Sequence, residues 1–395
     1  MTRKKMVLFG AGKIGRSFIG QVFSRSGYEV IFVDINRQLI DMLNENRQYK
    51  VIIKGPEADE IIRISHVRGI HLHDSEQVIA ALADASIAGI SVGQQGLPAA
   101  LPLIAQSLLL RKQKHGEWPL DLIIAENMRN ADQYFSAELA NLLPSGYPVS
   151  QFVGLVETSI GKMVPIMTGK DVTEDPLQVF AEPYNTLIVA RNGFKNPIPD
   201  SSFLAPKQNI KAWVDRKLFI HNLGHATAAY LGYSNYPEDR YMHQLLDHPD
   251  ILEETRRTMQ QSADILLGLY PDEFTRQQLE EHIDDLLGRF RNKALGDTTF
   301  RVGCDLYRKL GPEDRLVAPI RAAQKLNKSY NLILNALVAG ISFHAKDENG
   351  NYHPADQKFF DESENGVNYI LKTVCKLDIR MDCCLPLAVG KVKPG

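Results

Sequence analysis

Nine residues, Lys217-Leu-Phe-Ile-His-Asn-Leu-Gly-His225, place a base, an amide and an imidazole within one short span. They lie in a run from Lys211 to Tyr230 whose composition predicts a helix, with Gly232 as its stop. An α-helix turns about 100° and rises about 1.5 Å per residue. With Lys217 at zero, His225 falls near about 80° and Asn222 near about 140°, over about 12 Å of axis. These three project from one side. Phe219, Leu223 and Tyr230 fall opposite and are expected to pack. Such a polar cluster on an apolar helix costs free energy unless it finds partners. His221, near about 40°, projects over the same side, so geometry alone does not choose between the two histidines.

The chemistry open to this set is proton transfer at a carbon bearing oxygen. A lysine serves as general base when burial pulls its pKa toward neutrality. Amides donate to a developing oxyanion, and an imidazole can orient a hydroxyl. Taken singly, each residue has a plainer reading: a solvated charge for Lys217, a satisfied structural polar group for Asn222 or His225. The rest of the chain decides the weighting.

Residues 5–9 (Lys-Met-Val-Leu-Phe) read as a buried strand, followed by Gly10-Ala-Gly12-Lys-Ile-Gly15 leading into a helix. This is the G-x-G-x-x-G fingerprint of a dinucleotide site. Gly10 permits the turn, Gly12 lets backbone approach a pyrophosphate, and Gly15 lets helix and sheet close up. The helix N-terminus then faces the phosphates. Gly27 ends the helix, and Tyr28 to Val33 form a second strand. Asp34 follows, about 20 residues beyond the last glycine, where a carboxylate suits ribose hydroxyls and repels a 2′-phosphate. That favours NAD over NADP, with Arg37 as a counter-signal. A dinucleotide site joined to a lysine–asparagine–histidine face points to hydride transfer, in which the cofactor moves the hydride and the protein handles the proton.

The alternation continues with strands at 87–92 and 122–125 and a helix from Leu101 to Arg111 between them. The second of these strands delivers Glu126-Asn127-Met128 at its carboxyl end, where ligands bind in open parallel sheets. Asn127 there is either a substrate contact or a cap for the next helix. Residues 152–164 look extended, with short strands expected at 177–180 and 186–190. Asn192 to Asp200, rich in proline, asparagine and glycine, is the expected domain boundary. Division at 198/199 gives an α/β domain over 1–198 and a mainly helical one over 199–395. Helices are expected at 237–246, 250–267, 271–292, 314–325 and 330–344, with a turn at Asp347–Asn351 and a final helix over 360–372.

The chain of 395 residues has a net charge of −2 and 44% hydrophobic residues. The charge balance argues against nucleic acid as a partner. The sequence holds no apolar run long enough to cross a membrane, and Met1 onward does not read as a signal peptide. No pair among Cys304, Cys375, Cys383 and Cys384 has metal-ligand spacing, and neighbouring Cys383 and Cys384 suit a disulfide poorly. Reduced thiols in a cytoplasmic protein are the simple reading. With no zinc set, a protein base is required. The cationic stretch Arg301 to Arg315 is either a solvated face with local ion pairs or an anion site for a phosphorylated or polyhydroxylated substrate.

Lys217, Asn222 and His225 match K-x-x-x-x-N-x-x-H, and with them the chain resembles the polyol-specific long-chain dehydrogenases. The likeness extends to Gly10–Arg16, the Ala-Glu-Asn-Met around Asn127, Asp175-Pro-Leu-Gln-Val, Phe194-Lys195 and Leu310-Gly-Pro-Glu-Asp-Arg-Leu. It implies a Rossmann-type N-terminal domain, a mainly α-helical C-terminal domain and metal-independent catalysis by a monomer. It implies Lys217 as general base, Asn127 and Asn222 as the oxyanion pocket, and His225 on the reacting hydroxyl, leaving His221 structural. Arg301 and Lys309 match an Arg/Lys pair that contacts substrate in relatives. The expected reaction is the NAD-dependent interconversion of D-mannitol 1-phosphate and D-fructose 6-phosphate. The alternatives are an unphosphorylated mannitol or hexuronate substrate, or a catalytically silent NAD-binding sensor. Two departures from the family pattern stand out. Gly161-Lys162 stand where Asp-Arg is usual, which bears on substrate identity. Lys13 replaces a common asparagine, near the pyrophosphate or in solvent.

Overall fold

A computed structural model of the chain describes residues 4–378. The reading of the tail as unassigned, and of Cys383 and Cys384 as an unsuitable disulfide pair, lies outside the described residues. By internal contacts the chain divides into two units, 1–214 and 215–395.

Among the described residues the first unit is built on eleven strands: β1 (Lys5–Phe9), β2 (Glu29–Asp34), β3 (Gln48–Lys54), β4 (Asp59–Ser65), β5 (Val67–His71), β6 (Ile87–Ile90), β7 (Leu120–Ile124), β8 (Val153–Ser159), β9 (Val179–Ala181), β10 (Leu187–Ala190) and β11 (Leu204–Lys207). The main sheet has the order β11-β10-β8-β7-β6-β1-β2-β5. From β5 to β8 every neighbouring pair is parallel. Its strands are almost continuously apolar because a parallel sheet is covered on both faces. Alternate residues serve opposite cores: Met6, Leu8, Val30 and Phe32 on one side, Val7, Phe9, Ile31 and Val33 on the other. The helices Ser75–Ala83, Leu97–His115 and Ala131–Leu142 contribute to the second core. A three-stranded sheet, β4-β3-β9, lines the first core with Tyr49, Val51, Ile53, Ile64 and Val179.

The loop expected to separate the domains is held inside the first unit. Buried Asp121 on β7 accepts hydrogen bonds from Lys195 N at 2.7 Å, Asn196 N at 3.1 Å and Asn196 Nδ2 at 2.9 Å. β11 then pairs with β10, from Leu187↔Leu204 to Ala190↔Lys207. The division by contacts falls at 214/215. A run rich in proline and glycine is cut loose only when nothing buried claims its backbone, and here a carboxylate does.

The described part of the second unit is helical. An α-helix over Ile210–Arg216 passes into a π-helix over Lys217–Asn222 and then an α-helix over Leu223–Asn235. Further helices span Met242–Asp247, Pro249–Leu269, Arg276–Phe290, Val317–Lys325 and Asn331–Ile341. The expected final helix is two, Gln357–Ser363 and Val367–Thr373. Gly232 does not stop the central helix, which runs three residues further to Asn235. A Cβ at Gly232 would stand 2.6 Å from Leu245, so the glycine serves close packing of the helix onto its neighbour. Phe219, Leu223 and Tyr230 are buried, as their phase predicts.

Candidate functional site

In the first unit, the glycine turn sits between β1 and β6, where strand order reverses. Gly10 has φ of +94°, and a Cβ there would lie 2.3 Å from Ser91 O. A Cβ on Gly15 would lie 1.9 Å from Gly10 O, whereas one on Gly12 would meet nothing within 4 Å. Two glycines are thus required by protein backbone, and the third leaves open space on the side where a pyrophosphate would approach. Asp34 is fixed to this turn: Oδ2 accepts Ala11 N at 2.7 Å and Oδ1 accepts Asn36 N at 2.9 Å. Arg37 turns to His71 Nδ1 at 3.1 Å and Asp74 at 3.8 Å. Lys13 is exposed.

The helix after the turn begins as a π-helix, Gly15–Gly20. Arg16 is buried in it and acts as a strap, donating to Ala11 O at 2.7 Å and Leu177 O at 2.7 Å. Glu126 is a second brace that sequence reasoning passed over. Its Oε1 accepts Val92 N at 2.8 Å and Gly93 N at 3.0 Å, pinning the loop after β6. Burial pushes its carboxyl pKa up. Asn127, the next residue, is exposed at the carboxyl end of β7. Lys162, at the departing position, is buried and donates to Tyr184 O at 2.8 Å and Asn185 Oδ1 at 2.9 Å.

In the second unit the signature lysine and asparagine bound the π-helical segment. A π-helix bonds residue i to i+5 and turns less per residue than an α-helix, so residues five apart fall closer in phase. Lys217 and Asn222 are five apart, and they share a face more closely than the α-helical count of about 140° allows. Lys217 is half-buried. Desolvation, then Arg315, pulls its pKa down to about 8, against an opposing pull from Asp314. That is the poise a lysine base requires.

His225 stacks on Phe290 with ring centroids 4.4 Å apart and planes 3° from parallel. Burial first, then Arg301, Arg315, Lys309 and Arg289, holds its pKa well below the usual histidine value, so the ring is neutral. Its Nε2 stands 3.6 Å from Asp297 Oδ2. Asp297 Oδ1 in turn meets Arg301 Nη2 at 2.9 Å. His221 is buried, 5.5 Å from Phe290 by ring centroid, and its pKa is also driven well down by burial and Arg289. Lys309 is buried and donates to Val302 O at 2.7 Å and Arg301 O at 3.2 Å. Its pKa falls to about 8 through burial and Arg315.

The second unit thus brings Lys217, His225, Arg301 and Lys309 into one electrostatically connected cluster, with Asn222 at the far end of the π-helical segment that Lys217 begins. Arg315 belongs to that cluster as well: its side chain is only 12% exposed, and its Nε donates to Asp314 Oδ1 at 2.8 Å. The sequence marked Arg315 only as the end of a cationic stretch, and it did not single out Asp297. The i,i+4 spacing of Asp297 and Arg301 is the one local signal that pointed to such a pair. Among the described residues no group of three or more His, Cys, Asp or Glu side chains is disposed to hold a metal ion.

Comparison with known proteins agrees with both halves. Residues 4–202 match the family profile described as mannitol dehydrogenase Rossmann domain, and residues 209–374 match mannitol dehydrogenase C-terminal domain. The chain is 32% identical to mannitol-1-phosphate 5-dehydrogenase of Streptococcus mutans over 349 residues, covering 88% of each chain. It is 30% identical to the protein of that name from Buchnera aphidicola over 347 residues, covering 87% of this chain and 88% of the relative. Among solved structures, Pseudomonas fluorescens mannitol 2-dehydrogenase, in a ternary complex with NAD and D-mannitol, superposes with a TM-score of 0.68. That likeness is at 16% identity and covers 89% of this chain and 81% of the other. The chain belongs to the mannitol dehydrogenase family.

Proposed function

We propose that the protein is an NAD-dependent dehydrogenase that interconverts D-mannitol 1-phosphate and D-fructose 6-phosphate. The observation that carries the reading is Lys217, a half-buried amine whose pKa burial and Arg315 bring down to about 8. The curated relatives at about a third identity, named for mannitol 1-phosphate, support that choice of substrate. Gly10, Gly12 and Gly15 would receive the dinucleotide phosphates, and Asp34 the adenosine ribose. When bound, NAD supplies the acceptor for the hydride of the reacting carbon. Lys217 takes the proton of the reacting hydroxyl. The amides of Asn222 and Asn127 donate to the oxygen as negative charge builds on it. His225 orients a substrate hydroxyl, and Arg301 and Lys309 supply positive charge for the substrate's anionic end. Proton removal by an amine and charge stabilisation by amides need no metal ion. The active species in this reading is a cytoplasmic monomer.

The test follows NADH absorbance with purified protein, offering fructose 6-phosphate and fructose in parallel. The expected result is oxidation with the phosphorylated sugar and little with fructose. Equal turnover of both would refute the phosphate specificity, and oxidation with fructose alone would assign the free polyol. Activity unchanged by a chelator, and elution as a single chain on size-exclusion chromatography, are the accompanying expectations.

A further inference from the structure

Asp297 meets two groups of the site with its two oxygens, and its side chain is only 5% exposed. Oδ1 meets Arg301 Nη2 at 2.9 Å, and Oδ2 stands 3.6 Å from His225 Nε2. The imidazole is constrained independently, because Phe290 stacks on it and sets its plane. Its Nε2 is buried and makes no hydrogen bond among the described residues. A buried polar nitrogen without a bond is costly. Asp297 Oδ2 stands just beyond bonding distance of it, and a small movement would remove that cost. The neutral ring has two tautomers, and the partner of one nitrogen chooses between them. A lone pair on Nε2 facing an ionised carboxylate would be repelled, whereas an N–H facing it is attracted.

We infer that Asp297 is the positioning residue for His225: it takes the Nε2–H, leaves Nδ1 bare, and so makes His225 an acceptor toward the substrate. Arg301 balances the charge of Asp297 and holds its orientation. The consequence concerns which hydroxyl His225 holds. The reacting oxygen gives up its proton to Lys217 and ends as a carbonyl, and a bare Nδ1 cannot donate to it. The hydroxyl on His225 is therefore one that keeps its proton through the reaction, elsewhere on the same polyol chain. This differs from the contact with the reacting hydroxyl that family resemblance implies. It rests on the reading that His225 lines the substrate site.

The test begins on the unaltered protein, labelled with 15N-histidine, by recording which ring nitrogen of His225 carries a proton. The signal is assigned by its loss in His225→Ala. A proton on Nε2 and a bare Nδ1 are expected; a proton on Nδ1, or on both nitrogens at neutral pH, overturns the inference. Kinetics supply the second arm, with kcat/KM for fructose 6-phosphate expected to fall at least about tenfold in Asp297→Asn. In a His225→Ala background the same substitution should cost nothing further, since its effect passes through the imidazole. An equal loss in both backgrounds assigns Asp297 a merely structural part and refutes the proposal. Should Asp297→Asn not fold, the tautomer of the unaltered protein decides. If His225→Ala by itself leaves turnover unchanged, the reading of His225 falls and this inference with it. If His225→Ala is impaired and folded Asp297→Asn is not, the inference alone falls.

Discussion

Replacing Arg315 by glutamine should move the pH dependence of turnover upward, and the structure states by what mechanism. Lys217 carries a pKa of about 8 where a free lysine has 10.5. At pH 7 about 1 in 11 Lys217 side chains is then a free amine, against about 1 in 3,000 for an unperturbed lysine, a gain of about 300-fold in competent base. Polyol oxidation needs the free amine, so kcat/KM should rise with unit slope below pH 8 and bend over above it, where Lys309 also loses its charge. Between pH 7 and pH 9 the free-amine fraction of Lys217 rises about tenfold. Ketose reduction needs the ammonium form, so its profile should fall through the same inflection. Burial is the largest cause of the lowered pKa and Arg315 the next, with Asp314 opposing. Arg315→Gln removes the cation and leaves Asp314, which also meets Arg308 at 3.4 Å. Both consequences raise the pKa. Oxidation at pH 7 should drop, and it should recover at pH values above the new inflection. The assay is kcat/KM against pH in both directions, with substrate deuterated at the reacting carbon to keep hydride transfer visible. A wild-type profile flat from pH 6.5 to 9, or an inflection that stays put or falls in the folded variant, would refute the reasoning.

Other substitutions test the two units separately. Lys217→Ala should reduce turnover by orders of magnitude while NADH binding, followed by fluorescence, survives; near-normal turnover would remove lysine from the mechanism. Asp34→Ala should weaken NAD binding and narrow the preference for NAD over NADP, because it loses the ribose acceptor and the tether to Ala11 N; an unchanged preference would refute the ribose contact. Gly15→Ala should abolish dinucleotide binding, since its Cβ would stand 1.9 Å from a backbone carbonyl; wild-type affinity by calorimetry would contradict the turn geometry. Asp121→Ala should lower stability by about 1–3 kcal/mol in denaturant unfolding, because it strips partners from the buried backbone at 195–196. A loss within error would show that the loop is held by other means.

Local chemistry made much of this protein legible before any fold was known. The glycine turn, Asp34 and the apolar strands follow from rules that act within about 30 residues, such as sterics at positive φ and two-sided burial of parallel strands. The K-x-x-x-x-N-x-x-H spacing marked the proposed catalytic face for the same reason, since helical phase is a local property. The hairpin of β3 and β4 was equally local, with alternating Tyr49, Val51 and Ile53, but it went unread.

Other features depend on distant partners. The phase of Asn222 against Lys217 changed because the segment between them is a π-helix, a departure that the residue pattern does not announce. Asn192–Asp200 reads as a linker until Asp121, more than 70 residues earlier, claims its backbone. Gly232 reads as a stop until Leu245 is packed against it. The pKa of Lys217 was the least accessible from sequence. It depends on how much water the second unit excludes and on Arg315, about 100 residues further along the chain. Residue type made Lys217 a possible base, and tertiary burial beside a cation brought its proton within reach of neutral pH.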